Sequence, residues 1–229
     1  MNPNQRGHDK VVVLILSTQQ VVAITKGNVI VDKEEDRYST EYEWVSTHSY
    51  DLWVYNKLQV SRVLGYECGP AGLAVPRPDF YIVRPCINFM GMSRHARIEY
   101  LEGDTEHLHP AEFWCEVFEG EHISVDYYKG QQELTVKGVR DPQDPLYKWK
   151  KWYKVDRVIP LPKVFKEVSQ RYDWLNCEYI DGMLIEIHLR GNPNFNYGGD
   201  SITPVWEGDD VSDYIEQSNY KRLGFIIDG

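Results

Sequence analysis

The sequence has no apolar stretch long enough to cross a membrane as a helix. Its longest apolar run is residues 11–16, whereas a membrane-spanning helix needs about 20 apolar residues. The residues after Met1 do not form a charged and then apolar leader with a cleavage site, so no secretion signal is expected. These two observations predict a soluble, cytoplasmic protein.

Cations and cysteines are also scarce. The 25 Lys and Arg residues face 35 Asp and Glu residues, which gives a net charge of -10. Such an acid excess argues against a protein that coats nucleic acid or an anionic membrane, because both need clustered positive charge. The four cysteines, at positions 68, 86, 115 and 177, form no Cys-x-x-Cys pair, which predicts reduced thiols and no disulfide framework.

Aromatic residues, by contrast, are abundant. They make up 13% of the 229 residues and include 16 Tyr and 7 Trp. Large rings that carry a polar group suit a ligand cleft or a subunit interface, so the aromatic content is compatible with a homodimer. The 42% of apolar and 26% of charged residues are typical of a globular chain.

The hydrophobic pattern predicts a mixed fold that is richer in strands than in helices. Helices are expected at residues 51–64 and 161–172, and the acidic segment 32–47 is expected to be a surface connection. We therefore expect α/β architecture of the α+β kind. Short apolar or alternating runs indicate strands, at residues 11–16, 21–25, 29–31, 80–83, 96–101, 113–118, 122–128, 133–139, 174–180 and 183–190.

The last of these predicted strands carries the most informative pattern in the chain. Apolar residues from Ile185 to Leu189 alternate with Glu186, His188 and Arg190, so one face is apolar and the other charged. The charged face is either a ligand site or the exposed side of an edge hairpin, with Glu186 and Arg190 paired in water.

The position of Glu178 relative to Glu186 depends on the turn between the two strands. A two-residue turn at Asp181 and Gly182 puts the two carboxylates on opposite faces. A three-residue loop that also includes Ile180 puts them on one face, diagonal to each other. In the second case the pair could hold Mg²⁺, which prefers oxygen ligands and bridges well to phosphates.

Several segments resemble, in order, the motifs of the ATP-grasp family. Lys57 lies in a predicted helix ahead of residues 81–85, which read Tyr-Ile-Val-Arg-Pro where the family has hydrophobic-Val-Lys-Pro. Residues 88–93, Asn-Phe-Met-Gly-Met-Ser, stand where a glycine-containing phosphate loop is expected. Residues 115–126, Cys-Glu-Val-Phe-Glu-Gly-Glu-His-Ile-Ser-Val-Asp, are similar to the adenine hinge. Residues 185–190, Ile-Glu-Ile-His-Leu-Arg, resemble the terminal metal-binding motif.

The resemblance covers roughly residues 50–195 and implies an ATP-grasp-like fold, in which two α+β lobes with antiparallel sheets enclose a nucleotide cleft. The implied parts are a reduced N-terminal lobe (residues 1–75), a small lid subdomain (76–117) and a C-terminal subdomain with the metal-binding hairpin (118–229).

The resemblance also implies a role for individual residues around ATP and Mg²⁺. The implied sites are the adenine edge at Glu116, Val117 and Phe118; the ribose at Glu121; the phosphates at Lys57 and Arg84; the metal at Glu178, Glu186 and His188; and the reacting acyl-phosphate at Arg157 and Arg190.

The activity implied by this resemblance is that of an ATP- and Mg²⁺-dependent ligase, which joins a small carboxylate or peptide to an amine or thiol through an acyl-phosphate. Arg84 stands where the family has Lys, and His188 stands where it has Asn, a better Mg²⁺ ligand than imidazole. These departures leave open a non-catalytic ATP-grasp-fold protein that serves as a binding or structural component, and an unrelated α/β interaction domain. The strings around Arg84 and His188 are also similar to ATP-grasp-like proteins of large tailed phages, which would place the chain in a host cytoplasm or a virion.

Two further patterns have a simpler explanation. His107 and His109 could be metal ligands, but the adjacent Pro110 and the absence of a nearby third ligand favour a surface loop. The segment 148–154 interleaves lysines with aromatic residues, as nucleic-acid grooves do. Because the chain is acidic, an amphipathic strand is the preferred interpretation, and nucleic acid is not an expected partner.

Overall fold

The computed structural model describes residues 11–17, 20–25, 28–32, 40–88, 95–192, 195, 199–206 and 222–228. The strands are, in chain order, β1 (Val11–Ser17), β2 (Gln20–Thr25), β3 (Asn28–Asp32), β4 (Cys68–Pro70), β5 (Asp79–Pro85), β6 (Arg97–Leu101), β7 (Glu112–Glu116), β8 (His122–Tyr128), β9 (Gln131–Val139), β10 (Lys151–Lys154), β11 (Trp174–Ile180), β12 (Met183–His188), β13 (Ser201–Trp206) and β14 (Arg222–Asp228). The helices are α1 (Thr40–Ser46), α2 (Lys57–Val63) and α3 (Lys166–Arg171), with 3₁₀ helices at Ser49–Tyr55 and Lys163–Phe165. None of these described helices has the length and apolar character needed to span a bilayer.

In the described part of the chain these strands form two antiparallel sheets. The large sheet has the order β12-β11-β8-β9-β10-β13-β14-β1-β2-β3, and the small sheet has the order β4-β7-β5-β6. The fold is therefore α+β with antiparallel sheets, as the sequence predicts.

The main core lies on one face of the large sheet. Val125 of β8, Cys177 of β11 and Ile187 of β12 pair across the strands and are buried there. Val54 and Phe165 from the two 3₁₀ helices belong to the same apolar cluster. Because side chains alternate along a strand, the neighbouring polar residues of β8, β11 and β12 share the opposite face.

The small sheet is packed on both faces. On one face Tyr81 and Trp114 lie in an apolar cluster. On the other face Phe113 packs with Ile82 and with Leu58 of α2. Helix α2 also contacts β12, so it joins the small sheet to the outer strand of the large one.

The two predicted helices are interrupted or shortened. Asn56 breaks the first because its backbone is extended (φ -87°, ψ 100°) and its side chain caps α2 by accepting a hydrogen bond from the Gln59 amide at 3.2 Å. The second consists of a 3₁₀ turn followed by the short α3. The segment expected to be a surface connection contains α1 instead.

The first and the last of the described strands pair with each other in the large sheet. Strand β1 pairs with β14, and β2 and β3 follow it outward. These three strands belong to the part expected to form a reduced N-terminal lobe. The proposed division at residues 75 and 117 stays a prediction.

Candidate functional site

The β11–β12 hairpin brings Glu178 and Glu186, the two predicted metal-binding carboxylates, together although its turn has only two residues. Ile180 pairs with Met183, so the turn has two residues, Asp181 and Gly182, with φ of 46° and 84°. Such a turn was expected to separate the carboxylates, and that expectation is wrong. A bulge shifts the register, so that Glu178 pairs directly with Glu186.

The extra residue of this bulge is Ile185, since Tyr179 pairs with Leu184 and Glu178 already pairs with Glu186. A bulge places two residues of one strand opposite one residue of its partner and interrupts the alternation of side chains. Glu178 and Glu186 are therefore cross-strand neighbours on one face, closer than the diagonal pair that the three-residue loop predicts.

Glu186 lies at the centre of a buried set of charges. Its Oε1 is 3.7 Å from Lys57 Nζ and 3.2 Å from His188 Nε2. It also accepts a hydrogen bond from Asn88 Nδ2 at 2.7 Å. Burial alone would raise the pKa of Glu186, but the positive charges of Lys57, His188 and Arg84 hold it well below the usual range. The carboxylate is therefore ionised at any ordinary pH.

Lys57 and Arg84 bring two buried cations to this carboxylate from different elements. Lys57 is the first residue of α2, and Arg84 lies near the end of β5. Burial is the main cause that lowers the pKa of both, to about 8 for Lys57, although the charge of Glu186 opposes it. The buried cations Lys57 and Arg84 therefore both lie near the buried carboxylate of Glu186.

Arg84 connects the two sheets. Its Nη2 donates a hydrogen bond to the carbonyl of the bulge residue Ile185 at 3.0 Å. Its guanidinium lies 5.3 Å from the centre of the Phe113 ring. Its buried Nε has no hydrogen-bond partner among the residues that the structure describes, so one donor is open to an anion.

His188 is held between two carboxylates. Its Nε2 faces Glu186, and its Nδ1 lies 3.5 Å from Glu43 Oε2. Burial and Arg190 lower the pKa of His188, but the neighbouring carboxylates of Glu186 and Glu43 outweigh them and raise it to about 9. The two carboxylates therefore favour the imidazolium form of the ring.

Glu43 is a member of this site that sequence reasoning missed. It lies in α1, is 4% exposed, and accepts a hydrogen bond from Arg190 Nε. The expected catalytic Arg190 therefore contacts a carboxylate. The acidic segment around Glu43 gave no signal for this role, because nothing local distinguishes a buried Glu from its exposed neighbours.

Glu178 has its own partner, His122, which sequence reasoning also missed. Glu178 Oε2 is 3.0 Å from His122 Nε2. The His122 ring lies 4.5 Å from that of Trp149 and 5.6 Å from that of Trp152, centre to centre. Gly138 makes room for this packing, since a Cβ there would lie 2.8 Å from the Trp149 ring. Trp149 and Trp152, which belong to the segment 148–154 with its interleaved lysines and aromatic residues, thus pack on His122 of β8.

The two carboxylates are ligands that Mg²⁺ prefers, whereas the imidazole of His188, the third expected ligand, suits this ion less well. Magnesium usually takes one or two protein carboxylates and completes its shell with water and substrate phosphates. Glu178 and Glu186 supply such oxygens, and His188 faces Glu186 through its Nε2. Within the described ranges, no group of three or more His, Cys, Asp or Glu side chains could hold a metal ion.

The expected ribose ligand Glu121 lies in a separate, exposed group. Its Oε2 is 2.9 Å from Arg157 Nη1, and its Oε1 accepts a hydrogen bond from Lys137 Nζ. These two hydrogen bonds and positive charges lower the pKa of Glu121, Lys137 contributing most. The structure thus gives Arg157 and Arg190 different carboxylate partners, Glu121 and Glu43.

The expected adenine hinge begins in the last residues of β7 and continues beyond it. The Glu116 carboxylate accepts a hydrogen bond from the Glu67 amide at 3.0 Å, which ties β7 to the segment before β4. Phe118 packs edge-to-face on Tyr66, with 4.8 Å between ring centres. Val117, between them, is partly buried. Of the expected phosphate loop, residues 88–93, all but Asn88 lie outside the described residues.

The two histidines before Pro110 have loop contacts. His107 is exposed and its Nε2 is 3.0 Å from Glu99 Oε1. The backbone amide of His109 donates to Glu112 at 3.0 Å. These contacts agree with the surface-loop interpretation.

No protein-family model matches the sequence, and no curated protein matches it significantly. Solved structures do match. An ATP-grasp superfamily protein from Archaeoglobus fulgidus is 15% identical, with a TM-score of 0.46, over 77% of this chain and 64% of that one. The ATP-grasp ligase PsnB, complexed with minimal precursor, is 14% identical, with a TM-score of 0.38, over 63% and 54%.

An L-amino acid ligase from Bacillus licheniformis is 13% identical, with a TM-score of 0.37, over 60% of this chain and 40% of that one. The chain thus spans less than two thirds of the length of each of these three structures. What the comparisons show is a likeness, at 13% to 15% identity, to solved structures that include two ATP-grasp proteins.

Proposed function

We propose that the chain binds ATP with Mg²⁺ at the buried charges around Glu186 and acts as a carboxylate–amine or carboxylate–thiol ligase. One observation carries the proposal. Lys57 and Arg84 converge from α2 and β5 on the carboxylate pair of β11 and β12, and Arg84 Nε is left without a partner among the described residues. Cations next to paired carboxylates are what a metal-bound polyphosphate requires.

The charges support this choice of ligand. Lys57 and Arg84 are 2% and 7% exposed, and buried cations need anionic partners. Glu186 compensates one of them, and phosphate oxygens would compensate the other. Glu178 and Glu186 would hold Mg²⁺, which neutralises charge on the transferred phosphoryl group when bound. His188 and Asn88 hold the Glu186 carboxylate in place.

The proposed reaction activates a carboxylic acid. A carboxylate oxygen of the substrate attacks the γ-phosphorus of ATP, the bond to the bridging oxygen breaks, and ADP leaves. An amine or thiol then attacks the acyl carbon, the C–O bond to phosphate breaks, and inorganic phosphate leaves while the proton of the nucleophile is released to phosphate or solvent. Arg190 and Arg157 are the cations proposed to face the acyl-phosphate, and each would first exchange its present carboxylate partner, Glu43 or Glu121.

Nucleotide binding also requires the two sheets to separate. The Arg84 side chain reaches from β5 to the Ile185 carbonyl of β12, and Glu186 is only 8% exposed. We infer that the arrangement is a closed one, in which the site's own charges compensate one another until the ligand enters.

A second candidate function has its own observation. His188 supplies an internal positive charge between Glu43 and Glu186, where a metal would otherwise supply it. This arrangement favours a non-catalytic ATP-grasp-fold protein that serves as a binding or structural component, in a virion if the chain is of phage origin.

Calorimetric titration with a non-hydrolysable ATP analogue and Mg²⁺ tests the proposal. We expect binding that needs Mg²⁺ and is lost in Glu178→Gln, whose side chain is 29% exposed and can change without disturbing the core. Glu133→Gln on β9 is the matched control, because Glu133 is exposed. If millimolar analogue gives no heat with the wild-type chain, both nucleotide functions fail.

Turnover separates the two functions. Release of ADP in the presence of pooled amino acids or peptides is expected for a ligase. Binding without any ADP release across the pool would instead favour the non-catalytic component.

A further inference from the structure

Strand β6 ends the small sheet and carries exposed apolar side chains. It is the outermost strand of that sheet among the described residues. Ile98 and Tyr100 are 51% and 54% exposed, and Phe80 of the neighbouring β5 is 60% exposed. Phe80 pairs with Tyr100, and their rings lie edge-to-face at 5.4 Å. These three residues, the β6 patch, share one face of the sheet.

The β6 patch continues a face that is covered elsewhere. Ile82, which pairs with Ile98, and Phe113 lie on this same face and are packed against Leu58 of α2. Among the residues that the structure describes, this cover does not extend over β6. Soluble chains rarely leave large apolar side chains grouped beside the open edge of a sheet, because such an edge pairs readily with another strand.

The charges on the other face of β6 favour a second copy as the partner. Arg97 and Glu99 flank Ile98. Within the chain Arg97 Nε already lies 2.8 Å from Glu99 Oε2 and Arg97 Nη1 lies 2.7 Å from Glu112 Oε1, so a facing copy would extend this group of alternating charges. If two copies of β6 pair antiparallel about Ile98, Arg97 of each copy lies opposite Glu99 of the other, and opposite charges across a strand pair are favourable. Pairing about Glu99 would instead place two carboxylates opposite each other. The strand is therefore complementary to itself in one register.

We propose that the chain forms a two-fold symmetric dimer through antiparallel pairing of β6 with β6 of a second copy, centred on Ile98. The two small sheets become one continuous sheet. Phe80, Ile98 and Tyr100 of both copies then form a single apolar row on one face. The interface is isologous, since each copy contributes the same surface. This proposal does not depend on nucleotide binding.

Sedimentation velocity over a range of concentrations tests the dimer. We expect a wild-type species of twice the chain mass and a monomer for Ile98→Lys, which buries a charge in the centre of the interface. Val158→Lys is the matched control, because Val158 is 83% exposed and lies outside the β6 patch. A wild-type chain that is monomeric throughout, or an Ile98→Lys variant that still dimerises, would overturn the proposal.

Cross-linking tests the register. Side chains directly opposite each other in an antiparallel pair have Cβ atoms about 4.5–5.5 Å apart, close enough for a disulfide after slight adjustment. Under mild oxidation Ile98→Cys is expected to give a covalent dimer, whereas Val158→Cys and the wild-type chain with its natural cysteines are not. A dimer in solution that Ile98→Cys fails to cross-link would show that another surface mediates it.

Discussion

Two carboxylates of this protein each lie between two cations, and they differ mainly in burial. Glu186, on β12, is 3.7 Å from Lys57, and the two side chains are 11% and 3% exposed. Glu121, after β7, is 2.9 Å from Arg157, and the two side chains are 48% and 40% exposed. The shorter contact is thus the one that water surrounds.

Burial, more than contact distance, decides which of the two groups contributes more to the free energy of unfolding. Water screens the charges around Glu121, and exposed ion pairs contribute little to stability. The charges around Glu186 have lost their hydration, so each depends on the others, and removing one leaves its partner uncompensated. From contact distance alone, the Glu121 group would wrongly be expected to contribute more to stability than the Glu186 group.

The largest expected effect comes from removing the buried cation. Lys57→Met should lower the free energy of unfolding by about 3 kcal/mol, because Glu186 loses a compensating charge while it stays buried. Urea denaturation measures the change. Lys137→Met removes an exposed cation from Glu121, and its unfolding midpoint should match that of the wild type. Equal losses in both variants would contradict the role given to burial.

The ion pair of Glu112 and Arg97 is intermediate in exposure, so its contribution to stability should be intermediate in size, and it should depend on pH. Glu112, whose side chain is 10% exposed, is 2.7 Å from Arg97, which is 42% exposed. Burial alone would raise the pKa of Glu112, but hydrogen bonds from Arg97 and the His109 amide outweigh it and lower the pKa below its usual value. The pair therefore contributes stability above the unfolded-state pKa of about 4.3, and this is lost as pH falls through the folded-state pKa.

Glu112→Gln tests this contribution. At neutral pH we expect a loss of about 1 kcal/mol, because Arg97 stays half exposed and water screens it. As the pH falls below the unfolded-state pKa, the native carboxylate becomes protonated. The difference in free energy of unfolding between the wild type and Glu112→Gln should therefore shrink. A difference that stays constant with pH would show that the charge of Glu112 is not its cause.

The smallest effect on stability is expected at Glu121, where it should be within measurement error. Glu121→Gln removes the ionised acceptor proposed for the ribose, so affinity for the ATP analogue should fall by about tenfold, the range for a hydrogen bond to a charged group. Calorimetry on this variant and on Glu133→Gln measures the difference. Unchanged affinity would remove Glu121 from the proposed site.

The sequence predicts most of the strands because their signals are local. The bounds of β8 and β11 agree with prediction, since apolar residues alternate and turn residues follow. The helix at residues 51–64 was predicted as continuous, but Asn56 interrupts it, because its side chain can cap α2 only if its backbone leaves the helix. Helix α1 was not predicted, as its stretch is polar and acidic.

The site was predictable only in part, for a physical reason. Lys57, Arg84 and Glu186 stand in recognisable motifs, and the structure brings them together. Glu43 and His122 reach the site through contacts with residues far away in the chain. No local pattern encodes such contacts, which depend on how α1 and β8 lie against the hairpin.

The extra residue Ile185 has a consequence for reading related sequences. A hairpin one residue shorter would need no bulge to keep Glu178 opposite Glu186, and it would lack the carbonyl that binds Arg84. In an alignment this position would look like a dispensable single-residue insertion. Here the extra residue supplies the carbonyl that accepts the hydrogen bond from Arg84 and so links β5 of the small sheet to β12 of the large one. A gap at this position would therefore mark chains that lack this link.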